Sequence, residues 1–193
     1  MSRPVAFVLA GGQSRRFGCD KAQVQVGHRT MLDHVVAAVQ PVVDAVAVVG
    51  GVGALPDGAQ PVPDLRPGGG PVQAVVAANR AWPGRDWLLL GCDLPYLDTS
   101  LLAWLARPLA ESALVRLPVL GARHQYLVSF WSAAAAPVFE TGLAQGIESL
   151  RAIVRTLRTE LDDEAAMLAA GLDPACLADV DTPADLRPDR QSS

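Results

Sequence analysis

The first stretch with a clear pattern, PVAFVLA (4–10), has no polar position on either face before it meets two glycines. A strand apolar on both sides belongs inside a sheet that is covered by helices above and below. The period then changes. In TMLDHVVAAVQ (30–40) the apolar residues Met31, Val35, Val36 and Val39 fall on one helical face, and Pro41 ends the run. Thr30 and Asp33 stand at capping-box spacing, with Asp in place of the usual Glu. VDAVAVVGG (43–51) predicts a second buried strand that ends on glycines. AQPVPD (59–64) predicts a short strand, LRPGGGP (65–71) a loop, and VQAVVAANRAW (72–82) a helix.

The alternation continues. DWLLLGCDLP (86–95) reads as an apolar strand running into an acidic turn, and TSLLAWLARPLA (99–110) as a helix capped by Thr99 and Ser100. ALVRLPV (113–119) and HQYLVSFW (124–131) read as strands, the second alternating. SAAAAPVFETGLAQG (132–146) and GIESLRAIVRTLR (146–158) read as helices broken at Gly146. CLADVDTPADL predicts a short strand and a helix start. Strands alternating with helices argue for an α/β domain whose central sheet is mostly parallel, with right-handed crossovers. In such sheets ligands bind beyond the C-terminal ends of the strands. Three polar clusters fall there: Gly11 to Lys21, Gly50–Gly51, and Asp93. With no internal repeat or linker, residues 1–186 are expected to form one domain and 187–193 a flexible tail.

Composition narrows the partners. The 193 residues carry a formal net charge of −4 with scattered arginines, which does not suit a nucleic-acid surface. The N-terminal apolar run is too short for a signal peptide or a membrane span, so a cytoplasmic protein with no membrane partner is expected. Cys19, Cys92 and Cys176 form no CxxC pair, and neither a disulfide framework nor a structural zinc site follows.

The candidate chemistry sits in VLAGGQSRRFGCDKAQV (8–24). Gly11 and Gly12 let backbone N–H groups approach a ligand closely, as loops that cradle phosphates do. The spacing fits neither a Walker A loop nor a dinucleotide fingerprint. Arg15, Arg16 and Lys21 lie within seven residues, which suits a polyanion. Of the sixteen basic residues only Lys21 is a lysine. A compact point charge on a flexible stem can follow a phosphate where a planar guanidinium does not fit.

LAGGQSRRFGCDKA closely resembles the L-A-G-G-x-S-x-R-M-G-x-D-K signature of small nucleotidyltransferases, specifically the molybdenum cofactor guanylyltransferases. VPDLRPGGGPVQA, LLLGCDLPYL and DVDTPADL are similar to the family's later motifs and occur in the same order, covering residues 5 to 186. The resemblance implies a three-layer Rossmann-like nucleotidyltransferase fold with helices on both faces. It also implies transfer of GMP from GTP to molybdopterin cofactor, giving molybdopterin guanine dinucleotide and pyrophosphate. Mg²⁺ is the implied cofactor, and transient contacts with cofactor-biosynthesis or delivery proteins would follow.

The resemblance assigns nucleotide contacts to Leu9, Ala10, Gly11 and Gly12, pyrophosphate to Arg15, and the α-phosphate region to Lys21. Arg15 and Arg16 could exchange duties. Asp93, a hard oxygen donor after a buried strand, would hold Mg²⁺ against the phosphates. Asp64 stands at the base-reading position, with an Asx turn before the glycines as the structural alternative. Gly50 lies where some relatives carry an Asn. Asp179 and Asp181 stand where many relatives carry Asn; one of them could assist Mg²⁺, but Asp181 is expected to cap a helix at Pro183. Arg123 and His124 could face the pterin phosphate, although His124 suits a polar strand edge better than a catalytic role. Cys92 reads as a small core residue. The alternatives are a cytidylyltransferase or other small nucleotidyltransferase on the same fold, or a non-catalytic nucleotide-binding partner in cofactor delivery.

Overall fold

A computed structural model describes residues 2–11, 20–50, 53–66 and 68–186. Strand β1 (Val5–Leu9) lies at the centre of the sheet, flanked in parallel by β4 (Ala45–Val49) and β6 (Trp87–Gly91). β5 (Ala59–Val62) continues the parallel set beside β4. On the other side β9 (Val128–Trp131) runs antiparallel to β6 and to β7 (Val115–Leu120). β10 (Thr159–Asp163) closes that edge parallel to β7, giving the order β10-β7-β9-β6-β1-β4-β5. β8 (Arg123–His124) turns back on β7, and β2 (Gln25–Val26) with β3 (Arg29–Thr30) forms a separate hairpin.

Alternation along the strands sends residues into two cores. Ala6, Val8, Val46, Val48, Leu88 and Leu90 pack under α1 (Met31–Val39) and α3 (Thr99–Leu105). Val5, Phe7, Ala47, Val49, Trp87 and Leu89 face α2 (Gly70–Ala81), α4 (Ala136–Ala144) and α5 (Leu150–Val154). This is the expected three-layer α/β architecture, because strands with no polar face can be satisfied only by cover on both sides. Among the described residues no helix is long and apolar enough to cross a membrane.

The capping box of Thr30 and Asp33 forms as expected: Thr30 Oγ1 accepts from Asp33 N at 3.0 Å, and Asp33 Oδ2 accepts from Thr30 N at 2.8 Å. Other expectations need correction. The helix at 99–110 stops at Leu105, since Pro108 disfavours helical torsions at Arg107. Its cap is Asp98, whose carboxylate accepts from Ser100 N and Leu101 N, not Thr99 or Ser100. The strand at 124–131 divides into β8 and β9, and β9 is buried on both faces because Val128 and Phe130 enter one core and Trp131 the other. α2 begins at Gly70, inside the expected loop, and the helix at 146–158 contracts to α5. CLADVDTPADL contains no strand, only short 3₁₀ turns at Pro174–Leu177 and Pro183–Asp185. β10 and α6 (Glu164–Ala169) had no counterpart in the pattern. Residues 187–193, expected as a tail, lie outside the described residues.

Candidate active site

The central strands end together, and backbone bonds carry the sheet slightly further. Ala10 N donates to Val49 O, Cys92 N to Leu9 O, and Gly50 N to Val62 O. This places Leu9, Ala10 and Gly11 beside Gly50 on one side and Cys92–Asp93 on the other, as the parallel-sheet rule anticipates. Gly12, Arg15 and Arg16 lie outside the described residues.

Lys21 opens a short 3₁₀ turn, Lys21–Gln23, capped by Asp20. Its Nζ donates to Asp93 Oδ2 at 3.1 Å and to Asp181 Oδ1 at 2.6 Å. Burial pulls the ammonium pKa down, but the hydrogen bonds and charges of Asp181 and Asp93 outweigh it and hold the pKa above the ordinary lysine value. Lys21 therefore stays cationic through neutral pH, as a phosphate-binding role needs.

Asp181 does not act as the expected cap. The turn at Pro183 is capped by Thr182 and Asp185, whose Oδ2 accepts from Thr182 N at 2.7 Å. That closed local box leaves the Asp181 carboxylate to face Lys21. The same segment is pinned to the site by Val180 N, which donates to Asp93 O at 2.9 Å. Asp179 is exposed.

Asp93 owes its position to a missing side chain. A β-carbon on Gly91 would come within 2.4 Å of Asp93 Oδ1 and 3.4 Å of Leu127 Cβ. Glycine inside a strand marks a close approach of this kind, and LLLGCD carries that signal in the sequence. Gly91→Ala should move the carboxylate and leave the backbone in place. Activity is expected to fall about 10- to 100-fold, since small misplacements of a catalytic group carry costs of this size. The melting temperature should stay nearly unchanged, and paired kinetics and calorimetry would check both.

Cys92, beside it, is buried, and burial together with the Asp93 charge pushes its thiol up to about 12. It remains a protonated core residue, as expected, and no thiolate nucleophile arises there.

Asp64 follows β5 and leans over the opposite side of the site. A β-carbon on Gly11 would lie 3.4 Å from Asp64 Oδ2, and one on Gly50 would lie 2.6 Å from it. Gly50 is also left-handed, with φ +76°, a region that Asn tolerates and glycine enters freely. Desolvation raises the Asp64 pKa above the ordinary carboxylate value. Among the described residues no Asx turn holds this carboxylate.

His124 sits at an exposed strand edge, its ring stacked on Tyr126 with centroids 5.8 Å apart. Arg123 is exposed beside it.

Among the described residues no group of three or more His, Cys, Asp or Glu side chains gathers as a metal cage. Asp93 and Asp181 instead bring two hard carboxylates to one cation, Lys21. That donor set fits a hard divalent ion that is completed by water and substrate phosphates, as Mg²⁺ sites commonly are.

The chain has relatives among known proteins. The family model of the MobA-like NTP transferase domain matches residues 6–163. A molybdenum cofactor guanylyltransferase of Acidiphilium cryptum is 33% identical over 94% of this chain and 91% of its own. Another, of Rhizobium meliloti, is 31% identical over 95% and 89%. Molybdopterin-guanine dinucleotide biosynthesis protein A from Archaeoglobus fulgidus superposes with a TM-score of 0.75 over 97% of both chains, at 18% identity. The 2-C-methyl-D-erythritol 4-phosphate cytidylyltransferase of Thermus thermophilus shares the fold at a TM-score of 0.69, over 95% of each chain and at 19% identity. The sequence matches span the loop, the Asp64 segment and the Asp93 strand, and the chain belongs to the molybdenum cofactor guanylyltransferase family of MobA-like nucleotidyltransferases.

Proposed function

We propose that the protein transfers GMP from GTP to the terminal phosphate of molybdopterin cofactor. An acceptor phosphate oxygen attacks the α-phosphorus in line, the bond to the bridging oxygen of the β-phosphate breaks, and pyrophosphate leaves. The observation that carries this reading is Lys21 held between Asp93 and Asp181 at the strand ends, across from Gly11, Gly50 and Asp64. The acceptor is already ionised, so the chemistry asks for position and charge neutralisation rather than a general base.

The backbone of Leu9, Ala10 and Gly11 borders the nucleotide, and Lys21 meets the α-phosphate. Asp93, with Asp181 beside it, would hold Mg²⁺, which supplies positive charge to the triphosphate when bound. Asp64 accepts from guanine N1–H and the exocyclic amine together, a pairing that cytosine and adenine cannot offer. Calorimetry of GTP, CTP and ATP with Mg²⁺ tests the reading, followed by pyrophosphate release in the presence of molybdopterin. A preference for CTP would favour the cytidylyltransferase alternative, whose fold is the same.

Asp64→Asn should weaken GTP binding roughly 10- to 100-fold, the range of a lost charge-assisted hydrogen bond. A carboxylate with a raised pKa is protonated at higher pH than an ordinary one, so wild-type GTP affinity should begin to fall early on acidification. The Asn variant should lack that limb. The sign for stability is opposite. A folded pKa above the unfolded one gives a contribution that is present at low pH and lost as pH rises through the folded pKa. Near neutrality the ionised Asp64 is a small burden, and Asp64→Asn should melt slightly higher in scanning calorimetry.

A further inference from the structure

The first turn of α2 carries a buried polar side chain for which the phosphate chemistry has no use. Gln73 is 1% exposed and sits among Val72, Ala74, Val75 and Val76 of the core. A buried amide is costly unless its donor and acceptor are bonded. Here both ends go to one residue: Gln73 Nε2 donates to the Arg66 carbonyl, and Oε1 accepts from Arg66 Nε at 3.5 Å. The Arg66 carbonyl also accepts from Gly69 N at 3.2 Å. Arg66 lies two residues beyond Asp64, so helix and loop are tied next to the base reader.

Gly69 makes the tie possible. A β-carbon there would fall between 1.8 and 2.1 Å from the Gln73 amide atoms. The Gly69 torsions, φ −75° and ψ 4°, are open to other residues. The amide, not the backbone conformation, excludes a side chain. Neighbouring Gly68 and Gly70 have positive φ, so this connection has much freedom to lose when a ligand requires it to be ordered.

We propose that Gln73 is a positioning residue for nucleotide selectivity: it clamps Arg66 through the space that Gly69 leaves open and so holds Asp64 in register with the guanine edge. This rests on Asp64 as the guanine reader. Order imposed before binding strengthens affinity more than it changes the chemical step, so the effect belongs in KM for GTP and not in kcat.

The test compares GTP with ITP, which lacks the 2-amino group, in steady-state kinetics and calorimetric binding. Gln73→Met keeps the volume and removes both hydrogen bonds. KM for GTP should rise about 10-fold, kcat should stay within about twofold, and the preference for GTP over ITP should shrink by a similar factor. Gly69→Ala should cost as much by itself and nothing further in a Gln73→Ala background, because the methyl then occupies vacated space. This pair also tests the clamp should Gln73→Met fail to fold. If Gln73→Met lowers only the melting temperature and keeps the preference, or if the Gly69→Ala penalty is equal in both backgrounds, the proposal is overturned. Asp64→Asn separates the two ideas. If it retains the preference, the base-reader assignment falls and the clamp falls with it. If it loses the preference while Gln73→Met keeps it, only the clamp is wrong.

Discussion

Lys21→Ala is expected to lower turnover about 100- to 1,000-fold, the usual consequence of removing one preorganised group that stabilises charge in the transition state. The structure adds a second expectation. Lys21 Nζ lies within hydrogen-bonding distance of both Asp93 and Asp181, so in the wild type it shares those carboxylates with any divalent ion that binds there. Without the ammonium, the two carboxylates lose the cation they share, and their affinity for a divalent ion should increase. Mn²⁺ binding followed by paramagnetic resonance should therefore tighten while turnover collapses. The Lys21–Asp181 pair should account for no more than about 1 kcal/mol of any stability change, because Asp181 is half exposed and solvent screens it. Lys21→Arg should recover little, since a planar guanidinium does not follow a phosphate as a compact point charge on a flexible stem does. Near-normal turnover in Lys21→Ala would remove this residue from the mechanism.

Asp93→Asn should be comparably damaging by another route. The amide keeps the shape of the side chain beside Gly91 and can still accept a hydrogen bond from Lys21 through its oxygen. Folding should be close to unaffected, while the hard anionic donor is gone. Turnover is expected to fall about 1,000-fold, and the Mg²⁺ concentration needed for half-maximal rate should rise. Mg²⁺ titrations of rate beside thermal melts would separate the two effects. An unchanged Mg²⁺ response would place the cation on other groups, with Asp181 the first to examine. Gly91→Ala offers an internal comparison, because it displaces the same carboxylate without removing its charge.

Much of the layered core was legible along the chain. β1, β4 and β6 have no polar face, and a strand with that pattern has to lie between two helical layers. The capping box at Thr30 is a local arrangement of four residues, and local arrangements can be read from spacing. The position of Asp93 was legible because it directly follows such a strand.

The failures share a different physics. In β10 the only apolar residue, Leu161, is 53% exposed, and Asp162 is 7% exposed, the reverse of what hydrophobicity predicts. Asp162 turns inward because Arg107 Nη2 donates to its carboxylate at 2.8 and 3.0 Å. Arg116, itself almost fully buried, pairs with Glu160 and approaches Asp162 Oδ2 at 3.6 Å. Charge partners more than forty residues away thus override the local pattern.

Asp181 was expected to cap its own turn, but Thr182 and Asp185 take that role and release it to Lys21, 160 residues earlier in the chain. Gln73 belongs with these, since its partners are set by how the loop after Asp64 meets the helix. The sequence by itself determined which segments are strands and helices in the core, and that Gly11, Gly50 and Asp93 gather at the strand ends, because apolar periodicity and glycine placement act over a few residues. Only the tertiary structure decided which carboxylates flank Lys21, which face β10 buries and which backbone Gln73 holds, because those contacts join residues whose separation along the chain carries no signal.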